Sequence, residues 1–241
     1  MVGVCLQLLT MDVEEGLLPK LVWLREDLGL STAEVAKALA RGPQLINYDL
    51  DTHLKLRGRW LSSQLRLDKK GVRRLVFTKP GVLGMEEGRL EEYVAFMMDA
   101  FGVDRKGVGV FIARCPSLVG IHIDVLRSKL AWLAERLYGG DAALAAAAVA
   151  QLPALLTYSP ESKLDPVINF YVQDLGASVE EVAAMVSARP ISLTVSLQRL
   201  RPRTKVMRKR GLTPSFAGED HLRALGDFSN ARFYKWVTEY L

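Results

Sequence analysis

The chain has 241 residues, 49% of them hydrophobic, and a net charge of +5. That is enough to bury a sizeable core without staples, and no apolar run approaches the ~20 residues that span a bilayer. The two cysteines, Cys5 and Cys115, stand far apart, which argues against a disulfide framework and for a reducing compartment.

Residues 1–9, Met1-Val-Gly-Val-Cys-Leu-Gln-Leu-Leu9, lack the basic start of a secretory signal and the Arg/Ser-rich character of a transit peptide. Leu8-Leu9 lie 37 residues before Leu45-Ile46. Residues 1–16 are therefore expected to be the tail of a partial repeat, so that the chain begins inside an array. The first complete unit follows. Leu17, Leu21, Leu24 and Leu28 recur at helical spacing. Gly29 predicts the stop, since glycine accepts the left-handed conformation cheaply. Ser31, with Glu34 three residues on, predicts a capped second helix. Val35, Ala38 and Leu39 carry that helix to Pro43, which cannot continue it.

The same grammar recurs to the end of the chain. Pro43, Pro80, Pro116, Pro153 and Pro190 stand at intervals of 37, 36, 37 and 37 residues, a period that signals a repeat array. Paired aliphatics follow the prolines at Leu45-Ile46, Val82-Leu83, Leu118-Val119 and Leu155-Leu156, with Ser192-Leu193 last. Fourteen positions before them lie Gly29, Arg66, Gly102, Gly139 and Gly176, and twelve before lie Ser31, Asp68, Asp104, Asp141 and Ser178. Trp23, Trp60, Phe96, Leu133 and Phe170 share another column, as do Val35, Val72, Val108, Ala145 and Val182. Such columns predict core packing between repeats rather than aromatics offered to a ligand.

Charge is what varies between units. Residues 1–50 sum to −3, 51–80 to +7, 81–198 to −5, 199–210 to +7 and 211–241 to −1. In the second unit, Lys55, Arg57, Arg59, Arg66, Lys69, Lys70, Arg73, Arg74 and Lys79 face only Asp51 and Asp68. Lys55, Arg59 and Arg66 fall at i, i+4 and i+11, which predicts one side of a helix. Lys69/Arg73 and Lys70/Arg74 are like-charge i, i+4 pairs, which an anionic ligand would relieve. The third and fourth units are ordinary, with helices expected over Leu90–Phe101 and Val125–Leu137. The alanine-rich run 142–150 predicts a tightly packed helix. After Pro190 comes the second island: Arg199, Arg201, Arg203, Lys205, Arg208, Lys209 and Arg210. Arg201, Lys205 and Arg208 share a predicted face, with Leu193, Leu197 and Leu200 on the apolar one. Phe233, Trp236 and Tyr240 suggest a terminal helix that closes the array.

The side chains that carry chemistry are not grouped. His53, His122 and His221 occupy unrelated repeat positions without ligand-spaced partners, so no metal site is expected. Gly107-Val-Gly109 neither follows a strand nor completes a dinucleotide fingerprint. With no nucleophile beside a base and no phosphate-binding loop, the reading is a non-enzyme without a cofactor.

The chain resembles the mitochondrial transcription termination factor (mTERF) family. The carrying residues are Leu18-Pro19-Lys20, its kin at Leu164-Asp165-Pro166 and Leu200-Arg201-Pro202, the glycine stops, the Ser/Asp caps, the proline with paired aliphatics, and the ending Phe233-Tyr-Lys-Trp-Val-Thr-Glu-Tyr240. Arg66 and the absence of a visible transit peptide depart from the family pattern. The resemblance implies repeats of two α-helices plus a short 3-10 turn, stacked into a curved superhelix. It also implies a mitochondrial or chloroplast protein that binds double-stranded DNA or structured RNA in a concave basic groove.

The expectation is an all-α solenoid of about five and a half repeats, one domain over 1–241 with repeats at 17–195 and a half-repeat and closing helix at 196–241. It is read as a monomer away from membranes. The candidate nucleic-acid contacts are Lys55, Arg57, Arg59, Arg66, Lys70, Arg73, Arg74, Arg199, Arg201, Arg203, Lys205, Arg208 and Lys209. Three functions stay open: a duplex-DNA regulator of organellar transcription or its termination, an RNA factor for splicing or ribosome assembly, and a scaffold for a protein partner.

Overall fold

The computed structural model describes residues 12–214, 216 and 219–239. The expectations placed on Cys5, Leu8-Leu9 and Tyr240 lie outside the described residues. The fold is all-α, with no strand among the described residues, and no helix there is long and apolar enough to cross a membrane. The chain divides into two compact units, residues 1–125 and 126–241.

Unit 1 repeats one motif three times. Its helices are α1 (Leu18–Glu26), α2 (Thr32–Arg41), α3 (Leu56–Gln64), α4 (Lys69–Thr78), α5 (Glu87–Phe101) and α6 (Arg105–Arg114). Each pair ends in a 3-10 turn: Pro43–Asn47, Pro80–Gly84 and Pro116–Gly120. Helix α7 (Ile123–Tyr138) begins three residues before unit 2 and lies mostly in it, and α8 (Ala142–Gln151) leads to the turn Pro153–Thr157. The short α9 (Asp165–Asn169) lies between π-helical segments Pro160–Leu164 and Phe170–Asp174. Then come α10 (Val179–Ala188), the turn Pro190–Thr194, α11 (Leu197–Lys209), α12 (Glu219–Gly226) and α13 (Asn230–Glu239).

The boundaries follow from the side chains that serve open backbone groups. Ser31 Oγ accepts from the Glu34 amide at 3.3 Å while Glu34 Oε2 accepts from the Ser31 amide at 2.8 Å. Ser178 and Glu181 repeat this reciprocal cap at 3.1 and 2.8 Å. Asp68 and Asp104 accept from the amides of Gly71 and Gly107 at 2.7 and 2.8 Å. The preceding stops all have positive φ, including Gly29, Gly102, Gly139, Gly176 and Gly211. Arg66 adopts it too, at φ +50°, the one non-glycine to do so among the described residues. An L-residue there costs about 1–2 kcal/mol. Arg66 thus belongs to the turn after α3, and the expectation that it shares a helix side with Lys55 and Arg59 is corrected: α3 has ended at Gln64.

The repeat columns form the core. Val35, Val72, Val108, Ala145 and Val182 are all buried, as are Trp23, Trp60, Leu133 and Phe170, whereas Phe96 is only half-buried. Gly109 is where backbones meet. A Cβ there would overlap the Leu65 carbonyl oxygen, so the helix α6 can lie against the end of α3 only without a side chain. The 3-10 turns are tied down by lysines: Lys20 Nζ donates to Ile46 O at 2.5 Å, and Lys129 Nζ to Leu156 O at 2.9 Å. Lys163 Nζ donates to Val195 O, just past the last turn, at 2.8 Å.

Candidate nucleic-acid interface

Unit 1 holds the first basic island, and much of its charge is already answered. Arg73 donates through Nη2 to both carboxylate oxygens of Glu34, at 2.7 and 2.8 Å. Lys55 Nζ pairs with Asp51 at 2.8 Å. Arg57 has only 12% of its side chain exposed and lies 3.7 Å from Glu87. It stands 23 residues before Pro80, as Lys20 does before Pro43, so it occupies an inward-facing column. Arg59, Arg66, Lys70 and Arg74 are exposed and make no ion pair among the described residues. Of the candidate contacts in this island, these four remain for a ligand.

The Arg73–Glu34 link has a pH signature. The hydrogen bond from Arg73, then those from the Ser31 amide and hydroxyl, hold the Glu34 carboxyl down at about 2. A carboxylate with a depressed folded pKa stabilises fully above its unfolded value near 4.5 and loses that contribution as pH falls towards 2. Carbon-13 titration of Glu34 should give its midpoint near pH 2, and Arg73→Ala should raise it. An unchanged midpoint in the variant would remove Arg73 as the cause.

In unit 2 the second island divides. Helical spacing places Arg201, Lys205 and Lys209 (i, i+4, i+8), with Arg208, on one flank of α11 and Arg199 and Arg203 on the opposite one. Buried Leu200, Thr204 and Met207 run between the two flanks. On the first flank, Arg201, Lys205, Arg208 and Lys209 line a cavity of about 500 Å³ together with Phe170, Asp174 and Thr204. Arg208 Nη2 also donates to the Asp174 carbonyl at 2.7 Å, a cation at the end of the segment Phe170–Asp174, where carbonyls are unpaired. Phe170, at 2% exposed, is a floor rather than a surface on which a base could stack.

Arg203 does not join this face. It is 5% exposed. Its Nη1 donates to the carbonyls of Ala224 and Leu225 at 2.8 and 3.0 Å, and its Nη2 to Phe228 O at 2.7 Å and Asn230 Oδ1 at 2.9 Å. The guanidinium also sits 4.8 Å from the centre of the Phe233 ring. These bonds close the end of α12 and the start of α13, so the expectation that Arg203 contacts a phosphate is corrected: it is a buried tie. Burial, then the charge of Arg199, pulls its pKa below the ordinary arginine value. Arg199 remains exposed, with a long 3.4 Å bond to Gly226 O.

Sequence reasoning did not find Phe170, Asp174 and Thr204 as cavity walls. For the burial of Arg203 a signal is present in the spacing. Leu200, Arg203 and Met207 stand at i, i+3 and i+7, which puts Arg203 beside apolar residues. Among the described residues, no group of three or more His, Cys, Asp or Glu could hold a metal ion.

Comparison with curated proteins finds none that matches this chain. The sequence model of the mTERF family matches residues 3–169 and 143–224. Proteins of that family are helical-repeat, nucleic-acid-binding regulators of gene expression in organelles. With matches spanning nearly its whole length and helix pairs closed by 3-10 turns recurring from α1 to the turn Pro190–Thr194, the chain belongs to the mTERF family.

Proposed function

We propose that this protein binds double-stranded DNA through the phosphate backbone, as a monomer in the mitochondrion or chloroplast, and regulates transcription there or its termination. The observation that carries the reading is the first flank of α11, where Arg201, Lys205, Arg208 and Lys209 open onto one cavity against a single carboxylate, Asp174. Backbone phosphates need cations in a row and no base-specific geometry. The buried Phe170 supports a backbone ligand over stacked single-stranded bases, which require an accessible ring face. Arg59, Arg66, Lys70 and Arg74 of unit 1 supply further cations of the same kind.

The test is affinity measured against salt concentration for duplex DNA, structured RNA and single-stranded RNA side by side. Duplex DNA should bind tightest, and four contacts on α11 alone should give a log–log slope of about −3.6. Tighter binding of structured RNA would move the role to splicing or ribosome assembly. Salt-independent or absent binding of all three would leave the protein-scaffold reading.

A further inference from the structure

Unit 1 buries a hydroxyl that nothing serves. Tyr93, on α5, is 2% exposed, and its Oη has no hydrogen-bond partner among the described residues. It stands 23 residues before Pro116, as Lys20 does before Pro43, but Lys20 has the Ile46 carbonyl as its acceptor. A buried donor is costly to leave unpaired. The group that Tyr93 feels electrostatically is the half-buried thiol of Cys115. We propose that Cys115 is a modification site, oxidised reversibly to a sulfenate by a hydroperoxide, with Tyr93 as the residue that holds the product.

The surroundings of the sulfur suit that product better than they suit the thiol. Cys115 opens the turn Pro116–Gly120 without making a side-chain cap bond, as expected of sulfur, a weak acceptor. Helix α4 packs against this turn, and Lys79 Nζ lies 3.1 Å from where a Cβ on Gly120 would stand. Burial, the largest influence, pushes the Cys115 thiol up, while the amides of Ser117 and Leu118 and the charges of Arg74 and Lys79 pull it down. Thiolate is therefore scarce in the reduced protein and its attack is slow. In that attack the S–O bond forms as the peroxide O–O bond breaks. Sulfur is oxidised, the peroxide is reduced, and the departing oxygen takes up the thiol's proton and leaves as water or an alcohol. The sulfenate oxygen is a strong, charged acceptor. It gives Tyr93 the partner that sulfur does not, and it sets negative charge beside Arg74 and Lys79. Burial, then the charge of Cys115, also pushes the Tyr93 hydroxyl up, so it keeps the proton it must donate. Cys115 is the one cysteine among the described residues, where no second thiol stands ready to turn the sulfenate into a disulfide.

The experiment uses the full chain carrying Cys5→Ser, which leaves Cys115 as the single thiol. The protein is exposed to hydrogen peroxide, the excess is removed with catalase, and samples are quenched over time in denaturant containing dimedone, so that the trap reaches the sulfur whatever its burial. Peptide mass spectrometry should find the adduct on Cys115, and dithiothreitol added before the quench should abolish it. Tyr93→Phe removes only an unpartnered hydroxyl, so the unfolding midpoint of the reduced protein should hold or rise. The same variant should shorten the lifetime of the sulfenate about tenfold, the worth of one hydrogen bond to a charged group. A merely structural role for Tyr93 would move the midpoint and leave the lifetime alone. Absence of the adduct, passage of Cys115 straight to sulfinic or sulfonic acid, or equal lifetimes in the two proteins would overturn the proposal.

Discussion

Arg203→Ala is expected to destabilise unit 2 by about 3–5 kcal/mol, because buried acceptors left without their donor cost about 1–3 kcal/mol each and some of them regain water. The substitution leaves three carbonyls and the Asn230 side-chain oxygen without their donor. It also removes the cation from the face of Phe233. Arg203→Lys should recover only part of the loss, because one ammonium with three donors cannot reproduce a planar fork that reaches four acceptors. Chemical denaturation of the three proteins, with hydrogen exchange on α12 and α13, measures both the size and the place of the effect. A loss below about 1 kcal/mol, the worth of one ordinary hydrogen bond, would show that α12 and α13 hold together without Arg203.

The second large effect concerns binding. Arg201→Gln/Lys205→Gln/Lys209→Gln should lower duplex affinity on the order of a hundredfold and make the salt slope shallower by about 2.7, three lost contacts at 0.9 each. The three side chains are exposed, so far-UV circular dichroism and the unfolding midpoint should stay in place. Arg208 is left intact because it also holds the Asp174 carbonyl, and its loss would mix binding with stability. The weakening should be uniform across DNA sequences, as backbone contacts require. Unchanged affinity would remove this flank of α11 from the interface.

The repeat is legible because every device that builds it is local. A cap, a stop and a proline act within a few residues of themselves, so Ser31, Gly29 and Pro43 predict their own roles and the same roles 37 residues on. The candidate site is legible only in part, because its charges are decided by partners far away in sequence. Glu34 neutralises Arg73 from 39 residues upstream. Arg203 is claimed by residues 224–230, which obey no repeat column and so offer no register from which to foresee them. Arg66 is misplaced for a different reason: helical counting runs through a stop that its own column marks. Gly109 has no meaning as part of a glycine motif, and acquires one only from the Leu65 carbonyl set against it.

That contact bears on how this protein tolerates change. Leu65 precedes Arg66, so the chain here combines a backbone held in a conformation that L-residues resist with a neighbour, Gly109, that cannot accept a single added carbon. Sequence drift at either position is penalised by the other, and substitutions there will combine non-additively. Lys70 and Arg74 of α4 and Arg201, Lys205 and Lys209 of α11 are exposed and carry no such coupling. Variation that retunes what the protein binds can therefore accumulate on those helices, while the junction at Leu65, Arg66 and Gly109 stays closed to it.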